Sequence, residues 1–294
     1  MRMLNDYLKE TFGEKLYKIS LDGGFTCPNR DGTCGTKGCI FCSSGGSGEF
    51  AASECLNIDL QIENAKARVT GKYKGSRYIA YFQAFTNTYA PVHILRKKFM
   101  PVILRDDIAA LSIATRPDCL PDEVLALLAE LNSIKPVWIE LGLQTSNDIT
   151  AQRIRRGYPT EVYDQAMARL QPLNLHRVTH QIIGLPGETL ADMLETTRHI
   201  VCQKSEGIKF HLLHILRDTD LAEEYHSGIY NPLDIDAYIS ILADCVKILP
   251  ESTIVHRLTG DGDKRQLIAP LWSADKKRVL NAIHKKLFQT ESKP

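Results

Sequence analysis

Short apolar runs of four to seven residues alternate along the chain with longer stretches in which apolar positions recur every three or four residues. The short runs are rich in β-branched and aromatic residues, which predicts strands at 17–20, 78–83, 111–115, 137–143, 178–183, 208–213 and 253–256. Their near-continuous apolar character predicts burial on both faces, as in a parallel sheet. The longer stretches predict helices at 60–71, 92–98, 121–133, 160–170, 189–203 and 236–249. Pro121-Asp122-Glu123 marks one start, with a proline in the first turn and acids at the positive end of the helix dipole. Strand and helix alternation predicts an α/β fold with strands in chain order. Right-handed crossovers then curl the sheet into a partial or full (β/α) barrel, with functional loops gathered at the strands' C-terminal ends. On this reading residues 1–16 are an N-terminal extension, 17–257 the barrel core and 258–294 a C-terminal extension with a basic helix beginning near 270.

Composition narrows the class. The 294 residues are 44% hydrophobic and 24% charged, with 36 Lys and Arg against 35 Asp and Glu, which excludes disorder and coiled coil. No run approaches the roughly 20 apolar residues a membrane span needs. The start, MRMLNDYLKETFGEKLYKIS, carries charges throughout and lacks the apolar core of an export signal, so a cytoplasmic protein without a membrane partner is expected. The eight cysteines stand out, because Cys27, Cys34, Cys39 and Cys42 fall within 16 residues. In a reducing compartment such clustering points to metal or redox chemistry. The segment CPNRDGTCGTKGCIFC directly follows the first predicted strand. Thiolates suit zinc, copper(I) or iron-sulfur clusters, but a zinc ribbon wants two close pairs and only Cys39 and Cys42 form one. A redox pair leaves Cys27 without a role. Cys55, Cys119, Cys202 and Cys245 do not share the spacing.

Polar residues recur at the predicted strand ends: Gln83, Thr86 and Asn87 after the second strand, Thr115 and Arg116 after the third. Glu140 lies inside the apolar run WIELGLQT, where a carboxylate is costly unless paired or used. Gly184 and Gly187 bracket the turn in IIGLPGET. His211 and His214 cannot face the same side of a regular strand.

Three cysteines ending in Cys-x-aromatic-Cys after a first strand resemble the radical S-adenosylmethionine (radical SAM) superfamily. LDGGFTCPNRDGT through GCIFC, with E-L-G-x-Q-[ST] and GLPGET further on, is similar to the Elp3-like branch and its bacterial family that includes YhcC and YtqA. The 11-residue interval before Cys39 departs from the superfamily's commonest spacing and suits that branch. The resemblance implies that Cys27, Cys39 and Cys42 hold three irons of a 4Fe-4S cluster, with Cys34 a non-ligand. The fourth iron stays open for the amino and carboxylate groups of S-adenosylmethionine. Phe41 is implied near the adenine, Gln83, Thr86 and Asn87 near the methionine end, and Thr115 among the cofactor-binding residues. Glu140 and Gln144 are implied at the methionine and ribose, with Gly184 at the adenosine. RLTGDGDKR looks like the family's own signature and implies substrate recognition by Arg257, Asp261, Lys264 and Arg265.

The implied activity is hydrogen abstraction by a 5′-deoxyadenosyl radical, fed by an electron donor such as flavodoxin or ferredoxin. Its implied substrate is tRNA, in the conversion of a wobble-uridine carboxymethylaminomethyl group to aminomethyl. Two alternatives stand beside it: a radical oxidase or decarboxylase of a small metabolite, and a non-catalytic Cys-rich metal-binding adaptor for nucleic acid. A net charge of +1 argues against a broad phosphate-binding surface but leaves local basic groups such as Lys276-Lys277-Arg278.

Overall fold

A computed structural model of the chain describes residues 1–46, 48, 57–71, 73–260 and 262–288; Cys55 and Asp261 lie outside the described residues. In chain order the elements are β1 (Arg2–Met3), α1 (Leu4–Phe12), β2 (Tyr17–Leu21), α2 (Ile58–Val69), β3 (Tyr78–Phe82), α3 (Val92–Ile103) and β4 (Ile108–Thr115). There follow α4 (Asp122–Ile134), β5 (Val137–Gln144), α5 (Asp148–Arg153), α6 (Thr160–Leu170), β6 (His176–Ile183), α7 (Leu190–Cys202) and β7 (Gly207–Leu212). The chain continues through β8 (Ile215–Leu216), α8 (Asp220–His226), α9 (Ile235–Ile248), β9 (Ile254–Arg257), β10 (Leu267–Ala269) and α10 (Lys276–Phe288).

Eight strands form one sheet in the order β1-β9-β7-β6-β5-β4-β3-β2, and every pairing in it is parallel. From β2 to β9 the order follows the chain, as expected of successive crossovers, with β8 diverted into a separate ribbon with β10. The sheet curls into a partial (β/α) barrel. All seven predicted strands and six predicted helices are present, most within three residues of their expected bounds, while α3 runs five residues past its expected end to Ile103. The apolar runs are buried as expected: every residue of β3 and β4 is buried. Outside the sheet the helices close the core, with Phe82 and Phe99 in edge contact at 4.8 Å. Thr189 caps α7, its side chain accepting from the Asp192 N–H while Asp192 answers the Thr189 N–H.

The interior of the barrel is layered. At the strands' N-terminal end Trp138, His176 and His256 pack together, with ring centroids 5.1 to 5.2 Å apart. Residues 1–16, read from the sequence as an N-terminal extension, close this end. β1 pairs with β9, and α1 lays Tyr7 against His176 at 5.3 Å and Leu8 into a cluster with Ile79 and Trp138. Above lies a polar layer with a contribution from nearly every strand, including Lys18, Tyr81, Ser112, Glu140, His180 and Lys209. The C-terminal α10 buries Val279 and Ile283 in the main core. Among the described residues no helix is long and apolar enough to cross a membrane.

Candidate active site

The cysteine loop leaves β2 at the strands' C-terminal end and is held by its own turns. The Arg30 N–H donates to the Cys27 carbonyl at 2.8 Å, the Cys34 N–H to Pro28 at 2.8 Å and the Cys42 N–H to Cys39 at 3.0 Å. Buried Asn29 ties it to the turn between α5 and α6, its amide donating to the carbonyls of Arg155 at 2.7 Å and Arg156 at 3.1 Å and approaching Cys39 Sγ at 3.6 Å. Only glycine fits at 157, where φ is +87° and a Cβ would meet Asn29 Oδ1 at 2.4 Å. That turn is fixed in its own right. Arg156 is 2% exposed and donates to the carbonyls of Leu143 at 2.8 Å and Thr145 at 2.6 Å, at the end of β5. The Ile40 backbone completes the frame, its N–H donating to Ile154 and its carbonyl accepting from Leu221.

This frame brings Cys27, Phe41, Cys39 and Cys42 to the wall of one pocket of about 260 Å³. Burial pushes the Cys39 thiol up to about 12, and the neighbouring Cys42 and Cys27 add to the rise. Arg116 brings positive charge nearby, with Nη1 3.9 Å from Cys27 Sγ, while it pairs with Asp118 at 2.6 Å. Among the described residues no three His, Cys, Asp or Glu side chains gather as the shell of a single metal ion. A soft, all-thiol donor set spread around one cavity fits a multi-iron cluster, whose irons each meet one thiolate. Cys34 is exposed and lines a different pocket, beside Lys37 and Arg155.

Of the expected cofactor residues, Phe41, Gln83, Thr86, Thr115, Glu140 and Gln144 line the main pocket. Gln144 is held at φ +68°, where the β5–β6 pairing shifts register between Gly142 and Gln144. A non-glycine residue in the left-handed region next to a bulge is a strained placement of the kind found at functional sites. Asn87 departs from expectation. Its amide donates to the carbonyls of Phe82, Ala84 and Ala114 at 2.9 to 3.1 Å, stapling β3 to β4, and it is absent from the pocket wall. Gly184 also lies off this wall: its carbonyl accepts from the Tyr230 hydroxyl at 2.6 Å, and its φ of +93° makes it a turn glycine.

Glu140 lines the pocket and is fully engaged by the protein. Its oxygens accept from Lys18 at 2.6 Å, Ser112 at 2.5 Å, His180 at 2.8 Å and Lys209. Burial alone would raise its carboxyl, but Lys18 and Lys209 outweigh it and hold Glu140 well below the usual carboxylate range. Burial drives Lys209 down, opposed by Glu140 and reinforced by Lys18 and Arg257. Burial likewise lowers His180 to about 4. Lys18, Lys209 and His180 were not expected here from the sequence, although each lysine, like Glu140, is a charged residue within an apolar run. Arg116 and Tyr158 were also unassigned, and both line the pocket.

A family profile described as the radical SAM superfamily matches residues 30–200, more than half the chain. The chain belongs to the radical SAM superfamily. Residues 205–289 match the Radical_SAM C-terminal domain. The protein is thus a radical SAM enzyme, with a 4Fe-4S cluster and S-adenosylmethionine as its cofactors. Within the superfamily it sits on the Elp3-like branch with the YhcC and YtqA family. It is 46% identical to YtqA of Bacillus subtilis over 284 residues, covering 97% of this chain and 88% of that protein. It is 24% identical over 155 residues to the tRNA uridine(34) acetyltransferase of Methanocaldococcus jannaschii, covering 52% of this chain and 28% of that one. Among solved structures, an archaeal Elp3 from Methanocaldococcus infernus superposes with a TM-score of 0.68 at 14% identity, covering 92% of this chain and 63% of that chain, and so shares the fold.

On the far side of the radical SAM pocket the substrate expectations divide. Arg257 lines the wall, whereas Lys264 and Arg265 do not. Arg265 is 83% exposed and turns back to pair with Asp263 at 2.8 Å. His211 and His214 both line the pocket, against the expectation that they face opposite ways. β7 ends at Leu212, so His214 lies beyond the regular strand and the alternation no longer applies.

Proposed function

We propose that this radical SAM enzyme acts in the cytoplasm on the wobble uridine of tRNA, converting a carboxymethylaminomethyl side chain to aminomethyl, with flavodoxin or ferredoxin as electron donor. The observation that carries it is one cavity lined both by three cluster-type thiols and by cationic and imidazole side chains. The partial likeness to a tRNA uridine(34) acetyltransferase supports tRNA as the substrate class.

In this reading Cys27, Cys39 and Cys42 hold the cluster, and Asn29 keeps their loop seated on the Arg155-Arg156 turn. When bound, the cluster and S-adenosylmethionine supply a 5′-deoxyadenosyl radical. Phe41 packs by the adenine, while Gln83, Thr86, Thr115 and Gln144 orient the polar ends of the cofactor. Glu140 acts as a positioning residue, since its oxygens are held by Lys18, Ser112, His180 and Lys209. The plugged N-terminal end of the barrel leaves the loop side for substrate entry and helps to exclude water.

Anaerobic reconstitution tests the cofactor half. About four irons per chain are expected in the wild type and in Cys34→Ser, with loss of cluster absorbance in Cys39→Ser. Nucleoside mass spectrometry tests the substrate half: a strain lacking the protein accumulates the carboxymethylaminomethyl nucleoside and loses the aminomethyl form. An unchanged nucleoside profile would refute the tRNA assignment.

A further inference from the structure

The β7–β9 wall of the pocket carries positive charge that the barrel does not take up. Lys18 and Lys209 both spend themselves on Glu140. β9 sets Arg257 beside Lys209, just past a shift in the pairing register, and His211 lies two residues further along β7 on the same face. Among the described residues the Arg257 guanidinium has no ion pair and no hydrogen bond. His211 stands close by on the same wall, with Nε2 buried and without a hydrogen-bond partner. Its ring lies tilted against that of His180, centroids 4.9 Å apart. Gly260 closes over it, since a Cβ there would come within 3.3 Å of His214 Cε1 and 3.6 Å of His211 Nδ1. Asp263 on the same rim is occupied by the Arg265 guanidinium at 2.8 Å and the Arg265 N–H at 3.0 Å.

A half-buried guanidinium without a partner is costly, and a planar carboxylate is the group its fork fits best. We propose that Arg257 and His211 form a carboxylate subsite on the substrate wall, two guanidinium donors gripping the carboxylate and His211 Nε2 adding a third. The identity of the group, the carboxylate of a carboxymethylamino side chain, rests on the proposed function. The carboxylate chemistry rests on the side chains alone. A substrate held this way keeps the C–H bonds next to its carboxylate inside the cavity that also contains Cys27, Cys39 and Cys42. Arg257 then selects the substrate that still bears the carboxylate and releases the product that has lost it.

The test uses reconstituted holoenzyme with S-adenosylmethionine and two anticodon stem-loops, one with 5-carboxymethylaminomethyluridine and one with 5-methylaminomethyluridine. The wild type is expected to bind the first roughly ten- to a hundredfold more tightly, the range of one charge-assisted contact. Arg257→Gln is expected to erase that preference and Arg257→Lys to restore part of it. A preference that survives Arg257→Gln overturns the subsite, as does a fall in S-adenosylmethionine affinity as large as the fall for the carboxylate stem-loop. A second arm maps phenylglyoxal adducts on Arg257, with protection expected from N-methylglycine and not from its methyl ester. Protection by N-methylglycine in a wild type that ignores both stem-loops keeps the subsite and rejects the tRNA reading. Absence of that protection, or equal protection by inorganic phosphate, rejects the carboxylate subsite.

Discussion

Glu140 shows what one buried residue can hold together. Its carboxylate gathers ligands from β2, β4, β6 and β7, so that four strands of the barrel share one anion. Removing one member of such a network leaves the others desolvated and unpaired. Glu140→Gln is therefore expected to cost about 3–5 kcal/mol in urea unfolding. Because the penalty falls on the stranded lysines, Glu140→Gln with Lys209→Met is expected to cost less than the sum of the two single changes. Additive losses would show that Lys209 does not depend on Glu140. A charge in an apolar run marks this residue in the sequence as paired or used, but does not name its partners. Lys18 and Lys209 lie 122 and 69 positions away from Glu140, and such partners become visible only once the sheet is curled.

At the scale of elements, strands and helices were legible wherever burial is uniform. The apolar runs of β3 and β4 and the capped start of α7 carry their identity locally. α1 was the exception. Its apolar positions Leu4, Tyr7, Leu8 and Phe12 have helical spacing, but its exposed face is charged, and the sequence marks the segment only as an N-terminal extension without an export signal's apolar core. Leu8 is 2% exposed beneath the barrel, so Leu8→Ala is expected to cost about 2–5 kcal/mol by denaturation. The thiols lie at the opposite end, and iron content after reconstitution should match the wild type. A stability change below about 1 kcal/mol would mean that α1 does not plug the barrel. At the site, the loop cysteines were legible from spacing, whereas Asn87 was not. Asn87 has the polarity of a ligand contact, and only the carbonyls of Phe82, Ala84 and Ala114 around it reveal a staple.

For the whole molecule, the histidines in the barrel make stability depend on acid. Burial lowers both His176 and His180 to about 4, and His256, hydrogen-bonded to His176 at 2.9 Å, is held well below its ordinary value by burial. The unfolded chain takes up these protons near pH 6.5 while the folded barrel resists, so stability falls as pH drops from about 6.5 towards 4. His176 and His180 together are expected to account for roughly 4 kcal/mol between pH 7.5 and pH 5, read as a lower urea midpoint. A midpoint that stays level over this range would mean that these rings are protonated in the fold.

The pairing of β1 with β9 also has a kinetic side. Arg2 lies opposite Ile254, so β1 waits for about 250 further residues before its partner exists. At roughly 5–20 residues per second, that wait is on the order of ten to fifty seconds. During synthesis the edge of β7 that β9 will cover is open, and β1 has no strand to pair with. Pairing of β1 with β9 thus comes late, and the nascent chain passes through a stage in which its cofactor loop has been made while its far wall is still missing.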